Sequence, residues 1–332
     1  KIALGYQQHR GKTDKTILIG RERAYHGVGF GGISVGGLPL NKKHFSLLPS
    51  VDHICATHNL EKNAFSRGQP QWGKELADDL LRVIEKHGAD KIAAFITEPL
   101  AGSTGVLVPP KGYLERVREI CTKHDILLIF DEVITGFGRL GAPFAAQYFN
   151  VEPDLITCAK GLTSGTIPMG AVLVKKEIYD SFQDGDVKAI DLFHGYTYSA
   201  HPIAAAALIA TLDVYTEDNL FERTNDLASY WEDALHSLKG TSHVIDIRNL
   251  GLVAGIEMSS REGSLGTRGY DVFTDGFHNH NLLLRITGDT LALSPPLIVE
   301  KDHIDQIIDI LKKIIPIHPL QTSSMNLTII KV

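Results

Sequence analysis

The chain has 332 residues, 43% of them apolar, a length that supports one large core and a smaller second one. A formal net charge of −6 leaves no basic footprint, and no apolar stretch reaches bilayer-spanning length, so nucleic acid and membranes are excluded as expected partners in favour of small molecules. Three cysteines, Cys55, Cys121 and Cys158, are too few for a disulfide framework and fit a reducing cytoplasm as small buried residues.

In chain order, Lys1-Ile2-Ala3-Leu4-Gly5-Tyr6 reads as the middle of an amphipathic helix without an N-cap, so an upstream part is expected. Residues 16–20 pattern as a strand, 74–87 as a helix closing on His87-Gly88, 91–97 as a strand and 112–124 as a helix after Pro109-Pro110. Continuous apolar runs at 126–130 and 155–159 predict strands buried on both faces, and 170–175 is a further strand for which an antiparallel placement is open. After His201-Pro202 comes an alanine-rich helix over 203–215. Helix 220–238, strands near 244–248 and 251–258, helix 269–280, strand 282–286 and helix 301–313 then suggest an α+β unit. The tail 315–332 is aperiodic and is expected to be disordered or atypical. The predicted fold class is α/β, a mostly parallel doubly wound sheet in a large domain (1–215), with a smaller C-terminal α+β domain (216–332).

Two strand ends carry the chemistry. Asp131 follows the 126–130 run and Lys160 follows the 155–159 run. In open α/β sheets ligands sit beyond the carboxyl ends of parallel strands, so these two residues can face one crevice. A lysine amine can hold an aldehyde cofactor covalently, and a carboxylate beside a pyridine nitrogen keeps that ring protonated, which makes pyridoxal phosphate the expected cofactor. Either residue alone would ordinarily be solvated or capping. Lys160 is assigned as anchor and general base, and Asp131 as the partner of the ring nitrogen. Val133 falls on the same side as Asp131 if the strand continues, where it would pack on one ring face, with plain core packing as the equal alternative. No metal is expected.

The stretch Asp131-Glu132-Val133-Ile134-Thr135-Gly136-Phe137-Gly138-Arg139, followed downstream by Ala159-Lys160-Gly161-Leu162, resembles the class III, fold-type I aminotransferases. Ala101-Gly102-Ser103-Thr104-Gly105-Val106, Ile167-Pro168-Met169-Gly170 and Gly288-Asp289-Thr290 resemble in particular their omega-amino acid:pyruvate members, β-alanine among the donors. The resemblance implies that Tyr25, in Tyr25-His26-Gly27, covers the second ring face, with His26 beside it or, as the equal alternative, a satisfied loop histidine, and that Glu98 borders the cofactor. It implies that Thr197 reaches a neighbouring subunit's cofactor phosphate in a homodimer or dimer of dimers; Ala200 stands where a glycine is commoner, and alanine resists positive φ. Arg285 would clamp a substrate carboxylate, with an ordinary surface arginine as the alternative, and Ile134 would wall the substrate pocket. A Ser-Gly-Ser phosphate loop expected just upstream of Lys1 is not in the sequence.

The implied reaction takes an amino group from an amine donor to a keto-acid acceptor, pyruvate. Other donors such as 4-aminobutyrate or ornithine, an aminomutase on the same scaffold, and a cofactor-free non-catalytic remnant are the rivals.

Overall fold

The computed structural model describes residues 1–183, 185 and 192–317. Six strands form the first sheet: β1 (Ile17–Arg21), β2 (Val51–Ile54), β3 (Ile92–Thr97), β4 (Leu127–Asp131), β5 (Leu155–Ala159) and β6 (Gly170–Val174), in the spatial order β2-β1-β3-β4-β5-β6. All pairings are parallel except β5 with β6, which is antiparallel. The chain steps outward from β1 to β2 and then crosses back to β3, so its direction reverses between β1 and β3. A crevice at the strand carboxyl ends is the standard outcome of such a reversal.

The apolar runs of β3 and β4 are explained by two covered faces. Phe95, Leu128 and Phe130 pack with Leu80, Val83, Val117 and Ile120 of the helices Asp79–His87 and Tyr113–Lys123. The alternating residues Ala94 and Leu127 turn the other way, onto Ala3 of the helix Ile2–His9 and Ile178 of the helix Lys176–Ser181. Each fully buried large side chain contributes about 1.5–3 kcal/mol.

A second sheet is antiparallel throughout: β7 (Val244–Leu250), β8 (Val253–Met258), β9 (Arg285–Thr287) and β10 (Thr290–Leu293), in the order β7-β8-β10-β9. Trp231, Leu235, Val272, Ile304 and Leu311 of the helices Leu220–His236, Thr267–His280 and Lys301–Ile317 bury its apolar face. Among the described residues no helix is long and apolar enough to cross a membrane.

Several boundaries differ from the sequence reading. The helix expected over 74–87 is two, Lys74–Ala77 and Asp79–His87, broken at Asp78, whose carboxylate accepts from Arg116 Nε at 2.7 Å. The strand expected over 282–286 begins only at Arg285, because the Leu282 N–H caps the preceding helix on the Gly276 carbonyl at 2.8 Å. The last helix extends to Ile317 with Pro316 near its end, so residues 315–317 are helical, and the remainder of the expected tail, 318–332, lies outside the described residues.

Candidate active site

Adjacency of β4 and β5 places the lysine and the carboxylate together. Asp131 ends β4 opposite Thr157 of β5, and Lys160 is the first residue beyond β5. Its backbone is left-handed, with φ of +48°. Such a conformation in a non-glycine residue costs on the order of 1–3 kcal/mol and is kept only where the surroundings fix it. Here they do. A Cβ on Gly161 would stand 2.8 Å from the Phe137 Cβ, so only glycine permits the approach, and the Tyr215 hydroxyl donates to the Gly161 carbonyl at 2.6 Å.

A buried polar set gathers residues that end or follow β1, β3 and β4. His26 Nδ1 is 2.8 Å from Asp131 Oδ2, with the two side chains only 2% and 10% exposed. The Val133 N–H donates to Asp131 Oδ1 at 3.2 Å. This bond corrects the expectation of a continuing strand: β4 stops at Asp131, the carboxylate caps its own turn, and Val133 reaches the cleft from that turn. His26 Nε2 is buried and has no hydrogen-bond partner among the described residues. Glu98 follows β3, accepts from the Tyr25 N–H at 3.2 Å, and stands 4.0 Å from the buried Arg21 guanidinium.

Burial pushes the Glu98 carboxyl up to about 7 and nearby Asp131 adds to this, while His26, Arg21 and the Tyr25 N–H oppose it. Since the folded-state value lies above the unfolded 4.5, ionisation of Glu98 weakens folding. The penalty is absent below 4.5, grows from there to about 7, and is complete above it. Glu98→Gln in the cofactor-free protein is therefore expected to gain stability over the wild type as pH rises between about 5 and 8, by an amount on the order of 3 kcal/mol. Paired melting curves across that range check it, and a constant difference would contradict it.

Tyr25, Val133, Ile134, Lys160 and Arg285 all line one cleft of about 1210 Å³. Asp131, His26 and Glu98 are not among its lining residues, but Asp131 and Glu98 are near enough to act on the Lys160 charge, and His26 shares a small adjoining cavity with Tyr25. Partial burial in the cleft lowers the Lys160 ammonium from the usual lysine range; Asp131 and Glu98 oppose this and Arg285 reinforces it. An amine so placed gives up its proton more readily than an exposed one. Arg285 arrives from β9 and donates from Nη2 to the Ser103 carbonyl at 3.0 Å.

Thr197 is exposed and lies outside this cleft. In the same segment Ala200 has φ of +57°, the conformation the sequence reading flagged as costly for alanine. Ala200→Gly is expected to stabilise the protein by about 0.5–1 kcal/mol, the relief of strain less the added freedom of the unfolded chain. Urea unfolding measures this; destabilisation would contradict it.

Two groups escaped the sequence reading. Arg139 Nη1 donates to the carbonyls of Leu252 at 3.0 Å and Pro295 at 2.6 Å, tying the turn after β4 to the second sheet, and burial pushes its guanidinium down to about 10. The signal was an arginine closing a glycine-rich apolar turn. Tyr215 was read only as a helix residue, although its hydroxyl helps fix the main chain at Lys160.

The residues fit a flat, cationic heterocycle. A carboxylate braced by His26 is suited to a ring N–H⁺, and an amine, an aromatic and a branched side chain share the cleft lining.

Comparison with known proteins agrees. The model of the family described as Aminotransferase class-III matches residues 1–315. An omega-aminotransferase of Caulobacter vibrioides is 60% identical over 316 residues, covering 95% of this chain and 72% of that protein. A beta-alanine–pyruvate aminotransferase of Pseudomonas aeruginosa is 48% identical over 317 residues, covering 93% and 69%. The solved structure of a thermostable (S)-enantioselective omega-transaminase from Thermomicrobium roseum superposes with a TM-score of 0.86 at 31% identity, covering 93% of this chain and 70% of that one.

Proposed function

The chain belongs to the class-III aminotransferases, which work with pyridoxal phosphate, and from that premise we propose that it transfers the amino group of an omega-amino acid, β-alanine first, to pyruvate, giving a semialdehyde and alanine. The observation that carries this reading is the convergence of Lys160 and Asp131 at neighbouring parallel strand ends, with Arg285 facing the same cleft.

Bound pyridoxal phosphate supplies the electron sink that makes the substrate carbon acidic. Lys160 would hold the cofactor aldehyde through Nζ and, when its amine is free, would serve as the base that carries a proton. Its lowered ammonium suits the second task. Asp131, oriented by His26, would keep the ring nitrogen protonated. Tyr25 and Val133, which line the cleft, would enclose the ring, Glu98 would border it, and Ile134 would shape the substrate pocket. Arg285 pairs with the carboxylate that β-alanine and pyruvate share, which lets one site serve both half-reactions.

In the same reading, residues 1–215 bind the cofactor and 216–332 form the small domain that delivers Arg285; the helix Pro202–Glu217 carries the division to its own end. A cytoplasmic location is supported by three unbridged cysteines. The enzyme works as a homodimer or dimer of dimers in which Thr197 serves the neighbouring subunit. Its exposure outside the cleft supports this, as do Ile203 and Ile209, 62% and 61% exposed on the following helix. Mixing Lys160→Ala with Thr197→Ala protein is then expected to restore activity, since a mixed dimer holds one site with both native residues. No recovery after subunit exchange would count against it.

Alanine formation from pyruvate with β-alanine, 4-aminobutyrate and ornithine as donors tests the reaction. Activity confined to ornithine or 4-aminobutyrate would discard the donor assignment, and turnover without any keto acid would favour an aminomutase.

A further inference from the structure

A second charged cluster lies where the second sheet meets the loop that follows β3. Arg248, on β7, is 3% exposed. Its Nη1 donates to Asp246 Oδ2 at 2.5 Å and Glu257 Oε2 at 2.6 Å and lies 3.4 Å from His58 Nε2. His58, Asp246 and Glu257 have ligand atoms within 4.8 Å of one another, the spacing of a metal site, but the guanidinium already supplies the cation they would share. Burial alone would raise Glu257, yet His58 and Arg248 outweigh it and hold that carboxyl at about 2.

The other edge of the guanidinium faces the loop. Arg248 Nε donates to the carbonyls of Gly105 at 2.9 Å and Val106 at 3.0 Å. Those residues have φ of +110° and +58°, and a β-branched side chain strongly resists the latter. Close approach of the loop to β8 depends on Gly255, where a Cβ would stand 2.6 Å from the Gly105 carbonyl oxygen. Two residues before that turn, the Ser103 carbonyl accepts from both Arg285 Nη2 and Thr287 Oγ1, each at 3.0 Å.

We propose that Arg248 is a positioning residue for carboxylate recognition: it pins the strained Gly105-Val106 turn, and the Ser103 carbonyl held in this way aims Arg285 into the cleft. Lysine cannot replace it, because one ammonium cannot engage two carboxylates on one edge and two carbonyls on the other. The inference rests on the reading of Arg285 as the carboxylate-binding group.

The test uses cofactor-loaded enzyme and two fragments of β-alanine: propionate, which keeps the carboxylate, and propylamine, which keeps the amine. Arg248→Lys is expected to weaken calorimetric binding of propionate about tenfold, the effect of one misaligned charge-assisted hydrogen bond. The KM for β-alanine should rise in parallel while that for propylamine stays unchanged. Unaltered propionate binding overturns the inference, and so does an equal loss for both fragments, which would mark a merely structural role. Arg285→Ala in the same titration separates the two levels. If it too leaves propionate unaffected, the reading of Arg285 fails; if only Arg285→Ala has an effect, the role of Arg248 alone fails. Should Arg248→Lys not fold, Glu257→Gln carries the test: about a twofold to threefold weakening of propionate alone supports the inference, and no change overturns it.

Discussion

Lys160→Ala is expected to lower alanine formation by about ten-thousand-fold or more, because the substitution removes the covalent anchor and the proton carrier together. Steady-state assays with β-alanine and pyruvate measure this loss, and the visible absorbance of the lysine-bound cofactor should vanish with it. Folding should survive. Lys160 is exposed on the cleft side, and alanine at a backbone with φ of +48° meets a similar conformational penalty to the lysine it replaces. A variant that keeps both turnover and absorbance would remove Lys160 from the mechanism.

Asp131→Asn is expected to cost about 100- to 1000-fold in turnover, the usual effect of deleting one preorganised electrostatic contact to developing charge. The shape of the site should persist, since the amide oxygen can still accept from the Val133 N–H while the amide NH2 donates to His26 Nδ1 in that ring's other neutral tautomer. The loss therefore isolates the charge. It should appear in kcat more than in KM, as the ring nitrogen matters most when the cofactor carries extra electron density. An effect confined to KM would recast Asp131 as a residue for ground-state binding. The loss is smaller than at Lys160 because the asparagine variant keeps the anchor and the proton carrier.

Much of this arrangement was legible in the sequence because the signal was local. The run ending at Phe130 is apolar without interruption and the one ending at Ala159 is broken only by Thr157, the pattern of strands covered on both faces, and the polar residue after each run marks the strand end. What stayed hidden depends on contacts made at a distance. β2 was missed because Asp52 and His53 interrupt it, and Asp52 is accommodated there by Lys86 and His87, its partners at 2.8 and 2.7 Å. The break at Asp78 answers to Arg116, and the strand-like pattern at 282–286 yields to a helix cap at Leu282. Val133 could be placed on the same side as Asp131, but the turn that carries it to the cleft depends on a hydrogen bond to Asp131 that no periodicity encodes. The reading of Thr197 rests on family resemblance alone; within one chain the residue is simply exposed.

Borohydride reduction of the cofactor-loaded enzyme, followed by peptide mass mapping, is the most direct measurement of whether this cleft is a pyridoxal phosphate site. A phosphopyridoxyl mass on the peptide containing Lys160, and on no other lysine, is the expected result. The same mass on a different lysine, or none after confirmed cofactor uptake, would contradict the assignment of the cofactor to the ends of β4 and β5.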